Sequence, residues 1–287
     1  MSMQHLETEL RRTGDPRKQA FADVIAGIHK SLGSDIPFPS VLVEKLVVQT
    51  PEVPVEIKTF SRDQLILPEP RIPQEVSDIL QRAEKAGIGV FEVYHLSDVV
   101  LEQNSNVVGW NKRPEGWFWD QIKNGKVSKD AARLPDSWVL VDKTQKPDYK
   151  DGKQMYENDP FGSFLKQLRK DKKIQTRKDI PETSRFAISH DELTQVVLPK
   201  IAKLLEIESS QVRLPKEIEF NVIGNFKYPE WRNTNTWEWF ADKFGDGYRL
   251  VGGGSDSGGL ALVYRPWSDR HYGRVGFRPL VVVPTKA

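Results

Sequence analysis

The sequence predicts an α+β fold with a small helical region at its N-terminus. Two helices in the second half of the chain are followed by strands and turns over residues 218–283, and helices and strands do not alternate as they would in a parallel α/β sheet. Eight tryptophans and 13 phenylalanines in 287 residues provide large apolar side chains for a sizeable core. This length fits one main domain with a smaller appended region.

The first fifty residues, 1–50, are predicted to form a helical N-terminal region. Five apolar side chains recur there at helical spacing: Phe21, Val24, Ile25, Ile28 and Leu32. Residues 51–84 are predicted to be a proline-rich arm followed by a short helix. Five prolines exclude a long helix in the arm: Pro51, Pro54, Pro68, Pro70 and Pro73. The short helix is predicted from about Gln74 to Ala86, with Gly87 as its cap.

Residues 85–287 are predicted to form the main domain. Its first part is predicted to contain the strands Val90–Tyr94 and Trp138–Val141, a helix from Asp159-Pro160, and a helix from Ser189 or His190 that Pro199 bends. Its last part is predicted to contain the strands Ile218–Ile223, Leu260–Tyr264 and Val275–Val283. The glycine-rich segment Gly252–Gly259 lacks a following Gly-Lys-Ser/Thr and precedes a strand, so it predicts a tight turn and not a phosphate loop.

Charge and composition exclude several classes of protein. The formal net charge of +2 is too small to predict binding to nucleic acid or to an anionic membrane surface. The absence of cysteine excludes disulfides, thiolate zinc sites and cysteine nucleophiles. No apolar run is long enough to predict membrane insertion, and residues 1–18 lack the apolar core of a signal peptide. These features favour the cytoplasm, with assembly on a phage or cell-surface particle as the alternative.

Three short motifs near the C-terminus carry a family resemblance. Thr234-Asn-Thr-Trp-Glu-Trp239 is followed by Arg249-Leu-Val-Gly-Gly-Gly254, and Val275-Gly-Phe-Arg278 lies close to the end. In this order they resemble the variable proteins of diversity-generating retroelements, which use the formylglycine-generating-enzyme branch of the C-type lectin fold as a binding scaffold. The resemblance covers about residues 85–287, with the motifs confined to 231–283. It implies a C-type-lectin-like domain with a variable ligand-binding region at about 252–278.

The resemblance also implies a rigid scaffold beneath the variable residues. The scaffold residues it indicates are Trp237, Glu238, Trp239, Arg249, Gly252, Gly253, Gly276, Phe277 and Arg278. The tryptophans are expected to anchor the core, with Trp237 and Trp239 facing opposite sides of an extended segment or with one of them displaced by a bend. Arg249 and Arg278 are expected to be ion-paired framework residues because a planar guanidinium braces several acceptors at once, and Glu238 is a plausible partner.

A restricted set of residue types marks the predicted binding surface. Between Phe244 and Thr285 there is no Lys, Glu, Gln or Met. In the resembling family, adenines in Asn codons are randomised; such codons yield the residue types of Ser268–Gly273 but not Trp, so Trp267 would be invariant. An ordinary polar loop explains the same composition. The predicted ligand-binding residues are Ser255, Asp256, Ser257, Tyr264, Trp267, Ser268, Asp269, Arg270, His271 and Tyr272.

Catalysis is less well supported than binding. The five histidines include no pair at metal-ligand spacing on one helix, and no signature of a nucleophile and its base is present. The sequence therefore predicts no enzyme, no cofactor and no metal, although Asp246, Asp256 and Asp269 could ligate a hard cation if loops converge. The predicted partner is an unknown protein ligand, and the N-terminal helices are candidates for homo-oligomer formation. The alternatives are a non-diversified interaction module of the same fold and an enzyme related to formylglycine-generating or sulfoxide-forming enzymes.

Overall fold

The computed structural model describes residues 3–12, 14, 15, 19, 22, 23, 26, 57–68 and 71–285. Contacts divide the chain into two compact units, Met1–Glu56 and Ile57–Ala287. In the first unit, helix α1 comprises Met3–Arg12, and Arg11 pairs with Glu7 at 3.1 Å and with Asp23 at 2.7 Å. The predicted apolar positions Phe21, Val24, Ile25, Ile28 and Leu32 lie outside the described residues. Across the described ranges, no helix combines the length and apolar character needed to cross a bilayer.

The second unit is a mixture of helices and strands of the α+β class. Its helices are α2 (Arg62–Leu65), α3 (Gln74–Lys85), α4 (Gly116–Lys123), α5 (Gly162–Lys170), α6 (His190–Glu192), α7 (Leu198–Leu204) and α8 (Glu217–Phe226). Its strands are β1 (Thr59–Phe60), β2 (Ile66–Leu67), β3 (Phe91–Leu96), β4 (Val99–Val100), β5 (Asn106–Val107), β6 (Arg133–Leu134), β7 (Ser137–Asp142), β8 (Val212–Arg213), β9 (Trp237–Phe244), β10 (Tyr248–Gly252), β11 (Val263–Tyr264), β12 (Val275–Gly276) and β13 (Leu280–Pro284).

Two larger sheets organise this unit. A five-stranded antiparallel sheet has the order β2-β3-β7-β13-β8, and a four-stranded sheet has the order β11-β10-β9-β12. In the second sheet, β12 runs parallel to β9 and the other pairs are antiparallel. The small pairs β1-β5 and β4-β6 lie outside these sheets. Only Phe277, Arg278 and Pro279 separate β12 from β13, so the chain passes directly from one sheet to the other there.

Both large sheets are covered on both faces. In β7, Val139 and Val141 pack into one hydrophobic cluster, whereas Trp138 and Leu140 pack into the other. Strand β9 divides in the same way, with Phe240 in the first cluster and Trp239 in the second. This alternation follows from the period of two along a strand, which sends neighbouring side chains to opposite faces. It gives the unit two cores separated by the sheets.

Several predicted elements are confirmed. Strands β3 and β7 lie where Val90–Tyr94 and Trp138–Val141 predict them, and helix α3 ends before Gly87, which has a φ of +73°. Ser189 caps α6 in a capping box with Glu192. A π-helical turn, Leu193–Val197, precedes Pro199 in the helix that Pro199 was expected to bend.

The predicted strand Ile218–Ile223 is wrong, because this segment is part of helix α8. Residues Glu217–Gly224 are all buried, so the helix shows no polar stripe that would reveal its period. The alternating glutamates resemble the exposed face of a strand, yet both are inside. Glu219 receives two hydrogen bonds from Arg213, at 2.5 and 2.6 Å, which satisfy its buried carboxylate.

Three further boundaries differ from the prediction. The segment Val275–Val283 is not one strand, because the chain leaves the four-stranded sheet after Gly276 and joins the five-stranded sheet at Leu280. Within Leu260–Tyr264 only Val263 and Tyr264 form a strand. Helix α5 begins at Gly162 and not at Asp159-Pro160, since Asp159 accepts from Phe161 N at 3.0 Å and also binds Arg185.

A carboxylate on β9 supports the start of α8. The main-chain N–H of Glu217 donates to Asp242 Oδ2 at 2.6 Å. Burial raises the pKa of Asp242 to about 7. Burial, reinforced by the neighbouring Asp242, also raises the pKa of Glu217 well above its usual value, and neither oxygen of that carboxyl has a hydrogen-bond partner of normal geometry among the described residues. The folded protein therefore favours the protonated forms of this pair.

Asp242→Asn should make the variant increasingly stable relative to the wild type as pH rises. A raised folded-state pKa gives stability that is fully present below the unfolded value of 3.8 and is lost as pH rises towards about 7. One such group changes the free energy of unfolding by at most about 1.4 kcal/mol per pH unit. Asparagine cannot titrate, so it removes this pH dependence while keeping an oxygen that accepts from Glu217 N. Urea unfolding at pH 4, 5.5 and 7 measures the difference, with exposed Asp246→Asn as the control. If the free energy of unfolding of Asp242→Asn differed from that of the wild type by the same amount at all three pH values, the raised pKa of Asp242 would be contradicted.

Candidate functional site

The candidate site is built on a buried ionic network at the junction of the two sheets. Arg278 follows β12, whose Gly276 pairs with Glu238 of β9, so its guanidinium reaches that carboxylate. Arg278 Nε and Nη2 donate to Glu238 Oε2 and Oε1 at 3.1 and 3.0 Å, and Nη1 donates to the carbonyl oxygen of Asp142. The guanidinium lies 3.8 Å from the centre of the Trp231 ring. A planar cation thus connects both sheets.

A second buried arginine, which the sequence analysis did not identify, extends this network. Arg185 pairs with Asp142 and with Asp159, in the latter case at 2.7 Å. Its guanidinium lies over the rings of Tyr156 and Phe161 at 4.3 and 4.7 Å. Burial alone would raise the pKa of Asp142, but the cations Arg185 and Arg278 lower it below its usual value. The carboxylate therefore stays ionised inside the protein.

Tyr156 and Lys146 complete the network beneath the loops. Tyr156 donates to Glu238 Oε1 at 2.6 Å. The ammonium of Lys146 donates to the carbonyl oxygens of Thr236 and Gly253 at 2.7 and 2.6 Å, and burial lowers its pKa to about 8. We call this set the ionic frame; its charged members are the cations Lys146, Arg185 and Arg278 and the anions Asp142, Asp159 and Glu238. Equal numbers of opposite charges allow the set to be buried.

Most of the predicted scaffold residues are buried: Glu238, Trp239, Phe277, Arg278, Gly252, Gly253 and Gly276. Glu238 and Arg278 belong to the ionic frame, and Phe277 lies beside Arg185. Arg249 does not bind Glu238; its Nη1 donates to Tyr248 O at 3.0 Å, and the side chain is half-exposed. Trp237 and Trp239 share one hydrophobic cluster, so the expectation of opposite sides is wrong. Residues two apart on a strand face the same way.

An aromatic groove lies against the four-stranded sheet, and each of its strands supplies one lining residue. Its volume is about 240 Å³, and its lining residues are Trp237, Val251, Tyr264, Pro266, Tyr272, Gly273, Arg274 and Val275. Tyr264 meets Trp237 edge-to-face, with ring centres 5.9 Å apart. The lining offers two phenols and one guanidinium, and it contains no carboxylate or imidazole. The groove therefore offers apolar contact together with hydrogen-bonding groups.

Exposed aromatic and cationic side chains come from the segment 264–275, which also supplies six of the eight residues that line the groove. Tyr264 is 57% exposed and Trp267 is 46% exposed. The Trp267 ring lies 4.0 Å from Tyr248, which also packs against the Arg265 guanidinium at 5.6 Å. Asp269 and Arg270 are exposed at the turn that follows. We give the name tail surface to the exposed residues Ser255, Asp256, Tyr264, Arg265, Trp267, Asp269 and Arg270.

The loop that carries the tail surface is tied to the rest of the domain. His271 Nε2 lies 2.8 Å from Oε2 of Glu192, the capping-box residue of α6, and its carbonyl accepts from Arg177 Nη1 at 2.8 Å. Arg274 pairs with Asp256 at 2.7 Å and lies over Tyr149. These contacts hold the loop in one conformation, which limits the entropy lost on binding.

The predicted ligand-binding residues divide into three groups. Tyr264 and Tyr272 line the aromatic groove, whereas five others are exposed and do not belong to its lining: Ser255, Asp256, Trp267, Asp269 and Arg270. Ser268 is only 7% exposed, with its N–H donating to Gly247 O at 2.9 Å, so the prediction that it points outward is wrong. His271 is half-buried, and the side chain of Ser257 is outside the described part. Arg265 and Arg274 were missed, although both lie in the stretch without Lys or Glu.

No protein-family model, no curated protein and no solved structure matches this chain. Among the described residues, no group of three or more His, Asp or Glu side chains is placed to hold a metal ion. The ligand class is therefore argued from the geometry of the tail surface and the groove alone.

Glu238→Gln should lower the free energy of unfolding by about 3–5 kcal/mol, because it leaves the buried Arg278 without an ionised partner on β9. Urea unfolding monitored by tryptophan fluorescence measures the loss. The matched control is Asp98→Asn, which breaks a pair between Asp98 and Arg133 at 2.5 Å with both side chains about half-exposed. Solvent screens that pair, so its loss should cost only a small fraction as much. Equal losses for the two variants would refute the role assigned to the ionic frame.

Proposed function

We propose that this chain binds a protein ligand through the tail surface and the aromatic groove. The observation that carries this proposal is the concentration of exposed large aromatic and arginine side chains around an apolar depression on a rigid base. Tyr264 and Trp267 are more exposed than such side chains usually are, and Arg265 and Arg270 accompany them. Aromatic residues and arginine are the types enriched at interface hot spots.

The size of the groove favours a protein over a small molecule. Its volume of about 240 Å³ is below the range of about 300–1,000 Å³ typical of small-molecule pockets. A depression of this size accommodates one side chain of a partner. The exposed rings of Tyr264 and Trp267 would contact the partner residues on either side of it. Asp256, Asp269 and Arg270 would supply a polar rim.

We further propose that the domain has a C-type-lectin-like fold and is the variable protein of a diversity-generating retroelement. Three findings support this. The Trp-Glu-Trp and Gly-Phe-Arg motifs meet as the parallel pair of β9 and β12, and Glu238 and Arg278 of these motifs form an ion pair at 3.0 Å. The charges that stabilise the frame are separate from the exposed side chains. The surface residues come from a stretch without Lys, Glu, Gln or Met.

A non-diversified interaction module is the second candidate. The observation that favours it is the structural engagement of several residues in the proposed variable region. Ser268 is buried, His271 contacts Glu192, and Arg274 pairs with Asp256. Free variation at such positions would disturb the loop. Sequencing the gene from many isolates separates the candidates: diversification predicts variation at Tyr264, Asp269 and Arg270, beside a near-copy template and a reverse transcriptase gene, whereas a fixed module predicts neither.

Tyr264→Ala combined with Arg270→Ala should abolish ligand capture without unfolding the domain. Exposed substitutions of this kind change the free energy of unfolding by about 0.5 kcal/mol or less, whereas two lost hot spots weaken binding by tenfold or more. A photo-crosslinking residue at position 264 of the full chain, used in host cells, identifies the partner, and titration with that purified partner measures the affinity.

The control is position 108, because Val108 is 67% exposed elsewhere on the domain. A crosslinker there should not capture the same partner. If the double variant binds that partner as tightly as the wild type, or if its melting temperature collapses, the tail surface is not the binding site.

A further inference from the structure

A second pocket is connected to the aromatic groove through Trp239. The Trp239 ring centre lies 5.8 Å from that of His190, which lines the second pocket, and 5.9 Å from that of Tyr272, which lines the groove. The second pocket has a volume of about 310 Å³, and its lining residues are His190, Thr194, Leu198, Val212, Arg213, Leu214, Ala241 and Arg249. It shares no lining residue with the aromatic groove. We call it the His190–Arg249 pocket.

Two backbone irregularities converge on this pocket. The pairing of β10 with β9 shifts between Arg249, opposite Lys243, and Val251, opposite Trp239, so β9 contains extra residues here. On the facing helix, Thr194 lies in the π-helical turn Leu193–Val197. Both kinds of irregularity recur next to functional sites, where they redirect side chains.

His190 has hydrogen-bonding capacity that the fold does not use. The residue is only 3% exposed, and neither ring nitrogen has a hydrogen-bond partner of normal geometry among the described residues. The nearest carboxylate oxygen, Asp191 Oδ1, is 4.0 Å from Nδ1, and Asp191 does not line the pocket. Burial, with the Arg249 charge adding to it, lowers the pKa of His190 to about 3, although the main chain of Phe240 acts in the opposite direction. The ring is therefore neutral and presents one N–H donor.

Arg249 supplies a cation that the domain leaves unneutralised. It forms no ion pair with any residue that the structure describes, and its Nη1 donates only to Tyr248 O at 3.0 Å. The other arginine of the lining, Arg213, is already neutralised by Glu219 at 2.5 Å. The lining thus has one uncompensated positive charge. The lining also contains the apolar side chains of Leu198, Val212 and Leu214.

We propose that the His190–Arg249 pocket binds a small organic monoanion, with its carboxylate held by Arg249 and His190 and its apolar body against Leu198, Val212 and Leu214. Arginine and carboxylate match in charge and planar geometry. A ligand oxygen would also give the N–H of His190 an acceptor of normal geometry, which the buried ring lacks among the described residues. One free cation beside a neutral imidazole favours a monoanion over a phosphate dianion. This site is independent of the proposed protein-binding surface.

Calorimetric titration of the full chain with hexanoate, at constant ionic strength, tests the proposal. Hexanoate should bind with saturation, whereas hexanamide, which has the same apolar body without the charge, and inorganic phosphate should bind at least tenfold more weakly. Arg249→Gln should weaken hexanoate binding by about tenfold or more, and Arg249→Lys should restore part of it. The matched control is Arg232→Gln, which removes one exposed positive charge from outside both sites and should leave the affinity unchanged.

His190→Phe provides a second test that does not depend on charge. It keeps a ring against Trp239 and removes two nitrogens that have no hydrogen-bond partner of normal geometry among the described residues. The melting temperature should therefore not fall while hexanoate binding weakens. The proposal is overturned if hexanoate does not bind at about 10 mM, a concentration above the dissociation constant of even weak specific sites. It is equally overturned if hexanamide or phosphate binds as well as hexanoate, or if Arg249→Gln and Arg232→Gln have the same effect on hexanoate binding.

Discussion

The burial of Arg278 between the two sheets is the constraint on which the rest of the domain depends. A guanidinium inside a protein is tolerated only where anions and carbonyl oxygens replace its water, and here they come from separate parts of the chain. Glu238 lies on β9, and Asp142 lies at the end of β7. The two sheets must therefore meet at one separation and one angle for the charge to be satisfied. Arg185 enforces the same arrangement from the other side of Asp142.

The interactions that stabilise the domain are buried, whereas the exposed side chains of the tail surface contribute little to folding. Arg278 of the ionic frame lies against the buried Trp231, whereas the side chains of Tyr264 in β11 and Arg270 in the following loop are exposed. Exposed side chains of this kind contribute little to folding, so their identity is available for recognition. The intermediate residues His271 and Arg274 tie the loop to α6 and to Asp256. A loop held in this way presents its aromatic side chains in a fixed pattern, which lowers the entropic cost of association.

Trp239 links the two candidate sites. Its indole N–H donates to Ile188 O at 3.1 Å, and its ring lies next to Tyr272 of the aromatic groove and His190 of the second pocket. The two sites differ in chemistry. The groove combines aromatic rings with a paired arginine, whereas the pocket combines an arginine and an imidazole that have, among the described residues, no ion-pair partner and no hydrogen-bond partner of normal geometry, respectively. Buried polar atoms without partners cost stability, and such costs are concentrated at sites that bind ligands.

The sequence by itself determined the features that depend on neighbouring residues. The α+β class, strands β3 and β7, the end of α3 at Gly87 and the capping box at Ser189 follow from local period, turn chemistry and capping. Glu238 was also identified as a plausible partner of Arg278. Only the tertiary structure decided the features that depend on distant residues. Helix α8 is buried on all sides and has no polar stripe, Val275–Val283 divides between two sheets, and Arg185 finds its anions far along the chain. The His190–Arg249 pocket lies beside the π-helical turn Leu193–Val197 and the register shift between β9 and β10. These segments are distant in sequence, so no local pattern predicts the pocket.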